Sequence, residues 1–135
     1  MISVGIVGSG AMGSGIAQVA ATAGHQVLIY DNNTDALKRS SNKLAKIMDR
    51  LVEKGKISQV ESAAIQGRIQ YVDSLYKMAD IGLVIEAIVE KLEVKKALFE
   101  QLEDVLSEDA VLATNTSSLA VTAIAAACQK PGRVI

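Results

Sequence analysis

Six residues near the N-terminus, Gly8-Ser9-Gly10-Ala11-Met12-Gly13, space three glycines as G-x-G-x-x-G. Without a Cβ, glycine lets a chain turn tightly and lets its backbone approach a bulky anion. Before this turn, Ile2 to Val7 is short, apolar and strand-like; after it, Ala11 to Ala23 is Ala-rich and helical, ended by Gly24. That order aims the unpaired N–H groups of a helix start, and the positive end of its macrodipole, at one spot where a phosphate can sit. Gln26 to Tyr30 reads as the next strand. Asp31 at its end lies roughly 20 residues beyond the first glycine, where a carboxylate can accept hydrogen bonds from ribose hydroxyls. In this scheme Gly8 makes the turn, Gly10 admits a pyrophosphate, and Gly13 lets helix and strand pack closely. The chemistry is that of a dinucleotide site. The acid repels a 2′-phosphate, and neither Asn32 nor Asn33 offsets it, so NAD(H) is favoured over NADP(H). FAD domains share the glycine pattern and stay open on these residues alone.

Other residues of chemical type are fewer. Thr114 to Ser118 follows a strand-like run, Ala110 to Asn115, at the end where open α/β sheets place ligands. A hydroxyl there can donate to a carbonyl or accept from an alcohol, although the same residues make a good helix cap. Glu90 and Lys95 are either a surface pair or part of a site, and Glu86 ends a strand with no chemistry assigned. His25, the sole histidine, sits in the turn before the second strand, on the side away from the cofactor. Cys128 is the one cysteine, so there is no internal disulfide and no metal cluster in prospect.

The elements that must hold these residues are legible in outline. Half the chain is hydrophobic but only 3% aromatic, which suits Ala, Val, Ile and Leu helices layered on a buried parallel sheet. Lys and Arg number 14 against 15 Asp and Glu; the net charge of -1 argues against general electrostatic binding of nucleic acid. Thr34 to Lys54 is a long charged helix, with Leu37, Leu44, Ile47, Met48 and Leu51 at helical spacing. Gly55 stops it, and Ser58 to Gln66 makes a second helix with Ser58 and Glu61 in a capping-box arrangement. This helical hairpin, about residues 34–66, reads as an insertion projecting from the sheet. Strands at Ile69 to Val72 and Ile81 to Glu86, a helix at Leu92 to Leu106 and a helix at Leu119 to Cys128 resume the alternation. A turn at Lys130-Pro131-Gly132 leads to the start of a strand at Arg133 to Ile135. Strands alternating with helices predict a Rossmann-type, doubly wound, mostly parallel sheet. The N-terminus resembles no leader, and no stretch is long and apolar enough for a membrane span, from which a cytoplasmic setting is expected.

Three segments in order go beyond a generic fold: GSGAMGSGIA at Gly8 to Ala17, VIEAIVEKLEVKKALF at Val84 to Phe99, and ATNTSSL at Ala113 to Leu119. Together they resemble the N-terminal domain of the 3-hydroxyacyl-CoA dehydrogenases, most closely the bacterial 3-hydroxybutyryl-CoA type, over essentially all of the chain. The resemblance implies an NAD-binding domain over 1–135, part of an oxidoreductase that interconverts 3-hydroxyacyl-CoA and 3-oxoacyl-CoA. It implies cofactor contacts at Gly8, Gly10, Ala11, Met12, Gly13 and Asp31, then at Ala87, Ile88, Val89, Glu90 and Lys95, and at Asn115 and Ser117. It makes Ser117 the residue that hydrogen-bonds the reacting oxygen of the substrate. In the hairpin it gives Arg50 and Lys54 contacts to the CoA phosphates, although Asp49 beside them departs from the family pattern.

The family's general-base histidine, and the helical C-terminal domain that completes the substrate cleft and a homodimer interface, would lie beyond Ile135. The resemblance therefore implies that these residues alone turn over slowly. Two other readings stay open: a stand-alone NAD(H)-binding module without catalysis, and the cofactor domain of another β-hydroxy acid dehydrogenase.

Overall fold

The computed structural model describes residues 2–116 and 121–135. Five parallel strands, β1 (Val4–Val7), β2 (Val27–Tyr30), β3 (Ile69–Val72), β4 (Leu83–Glu86) and β5 (Val111–Thr114), form one sheet in the order β3-β2-β1-β4-β5. Helix α1 (Ala11–Thr22) links β1 to β2. Helices α2 (Thr34–Glu53) and α3 (Gln59–Gly67) link β2 to β3. A 3-10 turn at Leu75–Met78 precedes β4, α4 (Leu92–Val105) lies between β4 and β5, and α5 (Val121–Ala125) follows. The expected doubly wound parallel sheet is present. Its order reverses between β1 and β4, which opens a crevice at the C-terminal ends of those strands.

Strand alternation divides the core into two layers. Ile6, Val27 and Ile29 face a layer with Ala17 and Ala21 of α1, Leu44 and Met48 of α2, and Ile65 of α3. Val7 and Val84 face the other, with Leu98, Phe99 and Leu102 of α4 and Ile124 of α5. Phe99 is the lone phenylalanine and is fully buried; removing such a side chain costs about 3–5 kcal/mol. The scarcity of aromatics is thus met by branched aliphatics packed on both faces of the sheet.

The hairpin occurs at the expected residues and is an insertion within the β2–β3 crossover. Only part of it projects: Leu44, Met48 and Ile65 lie in the core, while Arg50 to Lys56, apart from half-buried Leu51 and Val52, is exposed. Asn33 caps α2, its side chain accepting from the Asp35 and Ala36 amides, and Ser58 caps α3 by accepting from the Glu61 amide. Gly24 and Gly55 take positive φ after their helices, as glycine stops do.

Some boundaries differ from the sequence reading. The first strand begins at Val4, because Ile2 is exposed and outside the ladder. The 3-10 turn at Leu75–Met78 has too few residues to show a period. The late helix was expected over Leu119 to Cys128; its described part ends at Ala125, and Cys128 sits buried in the turn that follows. Arg133 belongs to a 3-10 turn, and only Val134 makes a strand-like bridge, parallel to Leu112 of β5. Among the described residues, no helix is long and apolar enough to cross a membrane.

Candidate functional site

The glycine turn connects β1 to α1 at the crevice. Gly8 has φ +108°, a conformation that side chains rarely adopt, and a Cβ there would lie 2.4 Å from the Ala87 carbonyl oxygen. A Cβ on Gly13 would lie 1.8 Å from the Gly8 carbonyl oxygen. These two glycines are therefore required by the protein's own packing. Gly10 is different: a Cβ there meets nothing within 4 Å. Its extended backbone (φ -69°, ψ -168°) suits any residue, so neither conformation nor packing explains a glycine.

Gly10 is also the N-cap of α1, with no side-chain hydrogen bond to the first turn and no acidic residue in that turn. Open space above a bare helix start is what an anion needs. Ala11 and Met12 are exposed in that first turn.

Asp31 follows β2 and is fixed from both sides. The amide and hydroxyl of Ser9 donate to its Oδ2 at 3.0 and 2.9 Å, and the Asn33 amide donates to Oδ1 at 2.9 Å. A carboxylate has about four acceptor positions, so one remains on Oδ1 for a ribose hydroxyl. Burial raises the Asp31 pKa, but those hydrogen bonds and the nearby Arg39 guanidinium outweigh it and hold the carboxyl below its ordinary value. Neither Ser9 nor Arg39 was singled out from sequence. Ser9 reaches Asp31 only because β1 and β2 run parallel and in register.

A cleft of about 740 Å³ runs over these ends, within the range of small-molecule and cofactor sites. Gly8, Gly10, Asp31, Ala87, Ile88 and Val89 line it, with Leu75, Val94 and Leu98 adding an apolar wall. The structure thus brings the glycine turn, Asp31 and the 87–89 loop together. Arg50 and Lys54 are exposed on the far part of α2, roughly 24 Å along the helix from its start for Arg50, and they do not line this cleft. His25 is at the N-terminal end of the strands, opposite the crevice, its Nδ1 2.9 Å from the Ile2 carbonyl oxygen.

On the other side of β1 lies a buried ionic group. Lys95 of α4 is 1% exposed and Glu86 at the end of β4 is 0% exposed. The Lys95 ammonium donates to Glu86 at 3.0 Å and to Glu90 at 2.6 Å. Thr114 of β5 donates its hydroxyl to the same Glu86 oxygen, and the Ile88 amide donates to the other at 2.8 Å. Thr116 donates to Glu90, and the Asn115 amide donates to the Glu86 carbonyl. Glu86, given no chemistry from sequence, is the centre of this group, and Lys95 with Glu90 is no plain surface pair. Ser117 lies outside the described residues.

These residues are compatible with a dinucleotide. Gly10 and the bare start of α1 would take the pyrophosphate, Asp31 the adenosine ribose, and the β4–β5 ends the nicotinamide half.

Comparison with known proteins agrees. The family described as 3-hydroxyacyl-CoA dehydrogenase, NAD binding domain, matches residues 3–135. The chain is 45% identical over 132 residues to 3-hydroxyadipyl-CoA dehydrogenase of Escherichia coli (strain K12), covering 98% of this chain and 28% of that protein. It is 40% identical over 131 residues to a probable 3-hydroxybutyryl-CoA dehydrogenase of Deinococcus radiodurans, covering 97% and 47%. The crystal structure of 3-hydroxybutyryl-CoA dehydrogenase from Escherichia coli K12 superposes with a TM-score of 0.96 at 44% identity, over 98% of this chain and 28% of that one. The chain therefore spans less than half the length of these relatives.

Proposed function

This chain belongs to the 3-hydroxyacyl-CoA dehydrogenase family, as its NAD-binding domain, and on that premise we propose that it is the cofactor-holding part of an enzyme interconverting 3-hydroxyacyl-CoA and 3-oxoacyl-CoA. The observation that carries this reading is the glycine turn with an unfilled Cβ position at Gly10, facing Asp31 across one cleft. NAD, when bound, supplies the hydride acceptor, or in reduced form the donor.

The chain's own residues do the holding. The N–H groups at the start of α1 bind the pyrophosphate, and Gly10 keeps the approach open. Asp31 accepts from the ribose and repels a 2′-phosphate; Arg39 softens that repulsion without replacing the acid. Ala87, Ile88 and Val89 exclude water from one wall of the cleft, while Glu90, Lys95 and Asn115 border the nicotinamide half. Ser117 donates its hydroxyl to the substrate's 3-oxygen, a role that rests on the family resemblance. His25 is engaged with the Ile2 carbonyl at the N-terminal end of the sheet, away from the cleft, and the family resemblance gives the proton of the 3-hydroxyl to a histidine beyond Ile135. Arg50 and Lys54 contact the CoA portion in this proposal, and the whole enzyme is a cytoplasmic homodimer.

Titration of the full-length protein with NADH and NADPH tests the cofactor reading, with NADH expected to bind about tenfold or more tightly. Loss of NADH absorbance on adding acetoacetyl-CoA tests the reaction. Absence of NADH binding would refute the proposal; NADH binding without acetoacetyl-CoA reduction would leave a binding module only.

A further inference from the structure

Glu86, Lys95 and Glu90 place two carboxylates around one ammonium, one formal negative charge in excess. Glu86 and Lys95 are shielded from water, at 0% and 1% exposure, and Glu90 is 39% exposed. Of the neighbouring charges, Glu93 lines the cleft and lies 3.9 Å from the Lys96 ammonium, and Lys91 is exposed. The trio stands at the C-terminal ends of β4 and β5, on the opposite side of β1 from Asp31. In the cofactor reading above, with the pyrophosphate at the β1–α1 turn and the adenosine ribose on Asp31, the other half of a dinucleotide would lie towards the ends of β4 and β5, beside this charge.

That half is where the two redox forms of the cofactor differ in charge. The oxidised nicotinamide ring is a cation and the reduced ring is neutral, while the rest of the molecule is the same. We infer that the trio shifts this site's preference towards the oxidised cofactor, with Glu86 as the residue that sets the shift. The inference rests on the cofactor reading above.

Glu86 is suited to the role because its carboxylate is held in place from three elements. Its carboxylate accepts from α4 through Lys95, from the cleft-lining loop through the Ile88 amide, and from β5 through Thr114. A fixed charge in a dry setting acts on a neighbouring cation with little screening. At a separation of roughly 10 Å and an effective dielectric constant of about 20 to 40, one unit charge changes a binding equilibrium about 4- to 16-fold.

The experiment measures dissociation constants of NAD+, NADH and ADP-ribose, which lacks the nicotinamide ring, on full-length wild-type protein, Glu86→Gln and Glu90→Gln. Glu86→Gln should raise the ratio of the NAD+ constant to the NADH constant about 4- to 16-fold. ADP-ribose affinity should stay within about twofold of wild type. Glu90→Gln should move the ratio in the same direction, and it decides the question if circular dichroism shows Glu86→Gln unfolded. An unchanged ratio, or an equal loss for all three ligands, would overturn the inference. Wild-type protein that binds none of the three would overturn the cofactor reading itself and this inference with it.

Discussion

Gly10 and Gly13 lie in one turn yet should fail in opposite ways when given a methyl group. In Gly10→Ala the new Cβ meets no protein atom within 4 Å, and the backbone is already in a region open to alanine. The folding cost is limited to replacing glycine by alanine at a helix N-cap, about 0.5–1 kcal/mol. For a domain of this size that lowers the melting temperature by roughly 2–4 °C. The methyl group instead enters the space assigned to the pyrophosphate. Displacing one charge-assisted N–H contact costs about 1.5–3 kcal/mol, so NADH affinity should fall about 10- to 100-fold.

In Gly13→Ala the Cβ would stand 1.8 Å from the Gly8 carbonyl oxygen and 2.9 Å from its carbon. Both are backbone atoms and cannot rotate aside. The whole turn must shift, at about 3 kcal/mol, and melting should fall by roughly 10 °C. Thermal melting followed by circular dichroism and an NADH titration separate the two variants. The reasoning fails if Gly10→Ala binds NADH like wild type, or if the two variants lose stability equally.

Two further variants probe the charges on either side of β1. Asp31→Asn should narrow the preference for NADH over NADPH about tenfold, and it should also change acid stability. The folded Asp31 carboxyl titrates below its unfolded value of 3.8, so its contribution is complete above that pH and is lost as pH falls through the lower folded value. Urea titrations at pH 6 and pH 3 should therefore show a smaller acid loss in Asp31→Asn; equal losses would contradict the Ser9 and Asn33 contacts. Lys95→Met leaves Glu86 fully buried without its cation and should destabilise the fold by about 3 kcal/mol. Adding Glu86→Gln should recover part of that loss, and additive losses in urea would show that the two residues are not coupled.

The parts legible in the sequence were those whose signal is local. The glycine spacing, the N-cap at Ser58, and the acid after the second strand each lie within one turn or one strand, so residue type and spacing are enough to find them. What escaped was set by pairing between distant segments. Ser9 holds Asp31 across parallel strands, and Glu86 meets Thr114 from β5, 28 residues away in sequence. Yet Glu86 did carry a readable signal. Side chains two apart in a strand share a face, and Glu86 is two from Val84, which packs in the core beneath α4. An acid on the core-facing side of a buried strand requires a partner, because an unpaired buried charge costs several kcal/mol. The helix that must cover this strand brings Lys95 in its first turn, on the same buried stripe as Leu98, Phe99 and Leu102. Parity along the strand joined to period along the helix therefore pairs Glu86 with Lys95 and buries both, which is how a pattern that reads as an exposed Glu90–Lys95 pair turns into a charged centre beneath the cofactor cleft.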